Sequence, residues 1–447
     1  MARLDARLSG PASAPVALAL SGGGDSLALL HLAADWAEAR GRRLLAVTVD
    51  HGLNADSAAW TRRCADMARA VGADWVGPVW TGDKPTTGLP AAARAARHAL
   101  IAEAAREAGA HVILFAHTLD DIRESDRMRA EGANLGRLRD WSPSPAWPEG
   151  RGLMLLRPLL EEGRDTLRAF LTARGGGWIE DPANDDPRHH RARARRALAS
   201  EAPVTPSEPA TEARTVSLSP LPFGAGFVTD RAVPAAALAI LLLSASGGVT
   251  PPRGDRLARL VQRLRAGEGV SAVLAGARVQ TEGDRVLIAR EPGERRRGGR
   301  TEAPLVLPPG RAVVWDGRVE LTAETPGWRV VPAAGRLNRL SRADRLALSA
   351  LPSWARGAAA VLIRDEADAP VLAGAAGAAR FLAPRRALLA LTARGFRVQP
   401  PLSDGETTQE GALFDPVHGE TPTTDLFSNA NETSAPHDRA PEDRKPI

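Results

Sequence analysis

The stretch that decides the fold is Val16-Ala-Leu-Ala-Leu-Ser-Gly-Gly-Gly-Asp-Ser-Leu-Ala-Leu-Leu30. An apolar run ends at Ser21, three glycines with Asp25 and Ser26 follow, and apolar residues then recur at helical spacing. The reading is strand, loop, helix. Gly22, Gly23 and Gly24 lack a Cβ, so their backbone N–H groups can come close to an anion. Ser21 and Ser26 add hydroxyl donors, and the helix that begins here turns its positive end toward the same point. Asp25 would repel a phosphate, so it is most useful holding a magnesium ion against it. The loop lacks the Gly-Lys-Ser/Thr ending of kinase-type NTPases and the spacing of a dinucleotide fingerprint. The bland alternative is a glycine-rich turn between a strand and a helix.

Outward from this loop, apolar runs at Val16–Leu20, Leu44–Asp50, Trp75–Trp80 and His111–His117 alternate with helical patterns at Ser26–Arg40, Ser57–Val71 and Pro90–Ala108. Buried strands separated by helices predict an α/β fold with a doubly wound, Rossmann-like parallel sheet. Ligands of such sheets sit at the carboxyl ends of the strands, near the switch point. The loop, Asp50-His51 and the segment from His117 to Asp121 each follow a strand at that end.

A second block runs from Leu153 to about Leu198 and closes in an arginine-rich helix, Arg188 to Arg196. Together the first 200 residues are expected to form a catalytic domain around this loop, with a helical extension. Residues 201–215, rich in Pro, Ser, Thr and Glu, read as a linker. A middle domain is expected over 216–300, with an apolar helix at Val233–Ser244, a basic helix at Arg253–Arg265 and short strands from Ala272. A smaller α+β domain is expected over 301–400, with a β-leaning stretch at Pro304–Leu321 and helices at Ser341–Ala350 and Arg385–Ala393. Residues 401–447 are polar and aromatic-poor and read as a disordered tail.

At 447 residues the chain has room for two or three domains. No run approaches the roughly 18 apolar residues of a membrane span, and no signal-peptide pattern is seen. Cys64 is the sole cysteine. That excludes an internal disulfide, a cysteine zinc site and a Cys-ligated iron–sulfur cluster, and fits the cytoplasm. The net charge is +5, and Lys84 and Lys445 are the only lysines, so arginine supplies nearly all the cations. Arginine suits phosphate forks better than lysine. The charge fits a nucleic-acid partner, and a solvated surface accounts for it equally well.

The chemistry-bearing residues follow strands 2 and 4. They are Val49-Asp50-His51-Gly-Leu53, then Ala116-His117-Thr-Leu-Asp120-Asp121-Ile-Arg-Glu124-Ser125 with Met128-Arg129. On a helix, Asp121, Glu124 and Ser125 fall at i, i+3 and i+4, along one face. Carboxylates and a histidine beside a bound nucleotide can hold a cationic amine and take its proton. Acidic residues at this position would also favour the helix dipole without any catalytic role. Trp178 reads as core beside Ile179. The adjacent His189 and His190 point apart, with no third ligand nearby, and read as loop residues.

The loop at Ser21–Ser26 resembles that of the PP-loop ATP pyrophosphatases, which split ATP between its α and β phosphates. With the two strand-end motifs, Arg157-Pro-Leu-Leu160, Trp178-x-Glu-Asp-Pro-x-Asn184 and Arg191-x-Arg-x-Arg195, the order resembles the tRNA(Ile)-lysidine synthetase family over residues 14–198. The match beyond about residue 215 looks like the divergent C-terminal part of alphaproteobacterial members. The resemblance implies adenylylation of the wobble cytidine of a CAU-anticodon isoleucine tRNA, followed by attack of free L-lysine to give lysidine. It implies ATP at Ser21, Gly22, Gly23, Gly24, Asp25 and Ser26 with Asp50 and His51, and magnesium on Asp25. It places lysine on Asp121 and Glu124, with His117 and Asp120 nearby and Arg129 in support. Contacts to tRNA are expected from Arg157, Arg191 and Arg195, and from Arg253 and Arg256 on the basic helix of the middle domain. No obligate protein partner and no membrane are implied. The chain departs from the family pattern at Ile122-Arg123, at Asp126-Arg127 and in the short Ala130–Asn134 stretch. Another PP-loop enzyme is the first competing reading, although a thiolase would need cysteines and an amidotransferase-type synthetase a glutaminase. A tRNA-binding protein with a degenerate site is the second.

Overall fold

The computed structural model describes residues 2–8, 13–132, 136–180, 190–198, 214–293, 303–365, 368–373 and 378–399. The expected tail, and the linker as far as residue 213, lie outside the described residues. The first half runs α1 (Ala2–Leu8), β1 (Val16–Ala19), α2 (Gly24–Ala39), β2 (Leu44–Val47), α3 (Ser57–Ala70), β3 (Asp74–Val76) and α4 (Leu89–Glu107). It continues β4 (Val112–Leu114), α5 (Leu119–Ala130), β5 (Trp141–Pro143), β6 (Met154–Leu156), α6 (Arg164–Ala173) and α7 (His190–Leu198). The sheet order is β3-β2-β1-β4-β6-β5. Its pairs are parallel except β5 with β6.

Alternation along β1 shows why the sheet is covered on both faces. Leu18 packs with α2 residues such as Leu29 and Trp36, whereas Ala17 packs with Ile101 and Ala105 of α4. Each fully buried leucine here contributes about 1.5–3 kcal/mol relative to exposure. The helix α1 was not foreseen. It docks through Leu4 and through Asp5, which accepts from Trp36 Nε1 at 3.0 Å. Strands β5 and β6 were also not foreseen; their runs are only three residues long.

The second half runs β7 (Arg214–Ser217), β8 (Ser219–Pro220), β9 (Gly226–Asp230), α8 (Ala235–Ser246), α9 (Gly254–Arg265), β10 (Ser271–Leu274), β11 (Ala277–Glu282) and β12 (Arg285–Arg290). Then come β13 (Leu305–Val306), β14 (Val313–Trp315), β15 (Val319–Thr322), β16 (Arg329–Pro332), α10 (Arg342–Leu348), β17 (Ala360–Ile363), β18 (Val371–Leu372), β19 (Ala378–Phe381), α11 (Ala383–Thr392) and β20 (Phe396–Gln399). Arg214 and Thr215, read as the end of the linker, belong to β7. That strand pairs in parallel with β20, and Ala383, Ala387, Leu391 and Phe396 bury in one core with Leu238, Leu241 and Val286. The core of the middle part therefore draws residues from both sides of position 300.

The two halves meet through the turn between β5 and β6. Trp147 Nε1 donates to Gly317 O at 2.8 Å, Arg151 bonds Glu320 at 2.5 Å, and Arg386 lies 4.1 Å from the Trp147 ring centroid.

Candidate active site

The phosphate loop leaves β1 at the point where the sheet order reverses. Gly22 adopts φ +82°, and a Cβ there would lie 2.6 Å from Ile179 Cδ1 and 2.9 Å from Cys64 Sγ. Its glycine is thus required by backbone conformation and packing. Gly23 is open by comparison, with Ser21 Oγ at 3.8 Å from a built Cβ. Ser26 Oγ donates to Gly23 O at 2.9 Å and lies 3.1 Å from Ser21 Oγ, which holds the turn in shape. Asp25 sits in the first turn of α2.

The helix after β4 begins at Leu119. Thr118 is its N-cap, and Asp121 Oδ2 accepts from Thr118 N at 2.8 Å and Oγ1 at 3.2 Å. The buried face of α5 is Asp121, Glu124 and Ser125, as their spacing requires. Asp120 points elsewhere: its Oδ2 accepts from the backbone N of Arg164, the first residue of α6, at 2.8 Å.

Arg164 joins these pieces. Its Nε lies 3.1 Å from Asp25 Oδ2, its Nη2 3.1 Å from Asp121 Oδ1 and its Nη1 2.7 Å from Glu124 Oε1. One planar guanidinium therefore faces three carboxylates from two elements. Burial weakens the charged form of Arg164, but the hydrogen bond to Glu124 and the fields of Asp121, Glu124 and Asp25 outweigh it, so its pKa is raised. For Asp25 burial prevails over Arg164, and the carboxyl is pushed above its ordinary value, with Asp121 adding to the shift. The sequence reading missed Arg164. A signal existed: an arginine at the first position of a helix opposes the dipole and asks for a tertiary reason.

His117 stands at the end of β4 in a stack, its ring 5.9 Å from Phe115, which lies 5.2 Å from His98. Burial, then Arg94 and Arg97, lower the pKa of His98 to about 3, so its ring is neutral at pH 7. His51 is edge-on to Trp80 at 6.1 Å, and burial with Arg97 lowers its pKa. Asp50 Oδ1 accepts from Gly52 N at 2.9 Å. Lys84, one of two lysines, caps the Trp80 ring at 4.4 Å.

A PP-loop domain profile matches residues 2–202. The tRNA(Ile)-lysidine synthase of Caulobacter vibrioides is 48% identical over 369 residues, 83% of this chain and 89% of that one. That of Hyphomonas neptunium is 36% identical, covering 67% of this chain and 84% of the relative. That of Brucella anthropi is 35% identical, covering 69% and 74%. The chain belongs to the tRNA(Ile)-lysidine synthase family.

Within this family member, the arginines expected on tRNA divide. Arg157 is 7% exposed, and its Nη1 donates to Arg139 O at 2.8 Å and Ser142 Oγ at 3.0 Å. It is a buried strut between β6 and the segment before β5, a correction of the expected surface contact. An apolar neighbourhood, Leu153 to Leu160, was the available warning. Arg195 turns inward and donates to Glu124 Oε1 at 2.9 Å, which makes it part of the acidic pocket. The Arg191 side chain lies outside the described residues, as do His189 and Asn184. Arg129 pairs with Asp126 one turn away on α5. Arg253 and Arg256 are exposed at the start of α9. Trp178, expected in the core, is half-buried: it packs against the core and beside Gly24, 3.6 Å from a built Cβ.

Proposed function

We propose that this protein is an ATP-dependent ligase that adenylylates the wobble cytidine of a CAU-anticodon isoleucine tRNA and joins free lysine to it, forming lysidine. The observation that carries this reading is the meeting of Asp25, from the phosphate loop, with Asp121 and Glu124, from the helix after β4, around Arg164. A nucleotide loop beside two further buried carboxylates suits a reaction that activates one substrate with ATP and then admits an amine.

In the first step the cytidine O2 attacks the α-phosphorus of ATP, and pyrophosphate leaves. The loop N–H groups and the N-terminus of α2 stabilise the charge gathering on the leaving phosphates. In the second step the lysine ε-nitrogen attacks C2, the C2–O bond breaks and AMP leaves with the electron pair. Asp121 and Glu124 hold the ammonium, and a carboxylate or His117 takes its proton so that the nitrogen attacks as a free amine. Arg164 and Arg195, which both donate to its Oε1, hold the Glu124 side chain in place for this role.

Magnesium, when bound, would neutralise the phosphates. Asp25 fits it as a lone carboxylate ligand, since such sites usually combine one or two carboxylates with phosphate oxygens and water. Among the described residues no three His, Cys, Asp or Glu side chains form a cage of their own. No helix among them is long and apolar enough to cross a membrane, and the family's chemistry on tRNA supports a cytoplasmic site of action.

The test is incorporation of radiolabelled lysine into CAU-anticodon tRNA, together with AMP release that depends on the tRNA. Both are expected, with no incorporation when the wobble cytidine is replaced by uridine. AMP release without lysine incorporation would assign the chain to another PP-loop chemistry.

A further inference from the structure

Where the β5–β6 turn of the catalytic half meets α11, a cleft of about 600 Å³ opens between the two halves of the chain. Among the described residues no Asp or Glu lines it. Its floor is built and locked. Arg151 is held by Glu320, Arg157 by Arg139 O and Ser142, and Arg386 by Leu243 O at 3.0 Å and Gly248 O at 2.7 Å.

The rim differs. Beside Arg137, which is also exposed, it carries Arg139 from the catalytic half and Arg380, Arg385 and Arg394 from the other. These last four side chains are exposed, and among the described residues their guanidinium groups have no ion-pair or hydrogen-bond partner. Burial lowers the pKa of Arg385 and of Arg394, and the like charges of Arg380 and Arg139 respectively lower them further. Like charges gathered from two halves of a chain, around a cleft without a carboxylate, create a focused positive field that an external anion relieves.

We propose that this cleft is a phosphate track for the tRNA backbone, gripped by Arg139, Arg385 and Arg394, an assignment that rests on tRNA being the substrate. The chemistry is that of phosphate and not of a base. Trp147 is the one aromatic residue of the described lining; Arg386 covers its face and Gly317 O takes its N–H, so no platform is left for stacking. Guanidinium forks match phosphate oxygens. A free oligophosphate has the same chemistry, but these exposed arginines spread along a seam suit a chain of phosphates better than one compact anion. Contacts of this kind fix register without reading sequence, and here they tie the tRNA body to the half that carries the reacting pocket.

The test uses the full chain and CAU-anticodon tRNA, without ATP or lysine, in filter binding over a range of salt. Arg385→Gln with Arg394→Gln should weaken binding about 10-fold near physiological salt and flatten the log–log salt slope by about 1–2, as expected for two lost phosphate contacts. Arg385→Lys with Arg394→Lys should keep most of the slope, since the point charges remain. Arg386→Gln should lower the melting temperature and leave the slope unchanged, because its partners are protein carbonyls. The exposed Arg139→Gln tests the same track from the catalytic half, should the double variant fold poorly. Unchanged affinity and slope in folded Arg139→Gln and in the folded double variant overturn the track. So does a result in which inorganic pyrophosphate protects the unaltered chain from heat, the double variant loses that protection, and tRNA binding stays the same. Failure of the unaltered chain to bind this tRNA overturns both the track and the proposed function. Normal lysidine formation with an unchanged slope in the variants overturns the track alone.

Discussion

Arg164 sets the character of the acidic pocket, because three carboxylates share its one guanidinium. Arg164→Lys keeps the charge but cannot span three acceptors with a single ammonium. Removing one partner of a buried ionic network typically costs about 3–5 kcal/mol, since the others stay buried. Arg164→Ala should therefore lower the melting temperature by several degrees, with Arg164→Lys in between, and a change of less than about one degree would count against the network. Asp25→Asn should abolish pyrophosphate release while tRNA affinity measured by filter binding stays within about twofold, because its proposed role is confined to magnesium and pyrophosphate. Glu124→Gln should raise the Michaelis constant for lysine far more than that for ATP, through loss of a charge-assisted contact of about 1.5–3 kcal/mol. Equal rises in both constants would make Glu124 structural. The carboxylates were legible in the sequence because three residues at i, i+3 and i+4 after a strand have one geometric outcome. Arg164 lies 40 residues from Glu124, and only the sheet order brings the two together. Arg157 misled because its apolar neighbours from Leu153 to Leu160 were not read as the buried strand β6 and its exit.

At the scale of elements, long periodic segments were read closely and short ones were lost. The expected helices at Ser57–Val71 and Arg253–Arg265 match α3 and α9 to within a residue at each end. Strands of two to four residues, such as β8, β13 and β18, carry too few residues for a period of two to show. The stack of α4 on β4 carries its own pH dependence. His98 is buried, its Nε2 has no hydrogen-bond partner among the described residues, and its pKa is about 3 in the fold against an ordinary 6.5. The unfolded chain then binds more protons than the folded one between these values, so stability falls as pH drops below about 6.5 and rises as pH returns. At pH 5 the loss from this residue is about 2 kcal/mol. His98→Phe, which keeps the ring against Phe115, should flatten the melting temperature between pH 7 and pH 5. An equally steep decline in the variant would place the acid sensitivity elsewhere.

At the scale of the whole molecule, the question is how a pocket in the first half acts on an RNA gripped by both. In the second half the helices α8, α9 and α11 were legible; the return strand β20 and the seam were not, since each depends on pairings between residues far apart in the chain, such as Phe396 with Arg214. Trp147 is the pin of that seam, bonded to Gly317 O and lying beneath Arg386. Trp147→Ala removes one hydrogen bond and one cation–π contact, about 2 kcal/mol together, before any lost packing. Each half has a core of its own, so neither should unfold for want of the other. The variant is expected to melt in two steps where the parent melts in one. Phosphate contacts from the two halves then no longer add on a single rigid surface, and tRNA affinity should fall about 10-fold, in line with the loss of effective concentration when two linked sites come apart. Turnover at saturating tRNA should change much less, because Asp25, Asp121, Glu124 and Arg164 all lie on the first half. A single transition at the parent temperature, with tRNA affinity intact, would show that the seam bears no load. A large fall in turnover at saturating tRNA would show instead that the second half shapes the pocket itself.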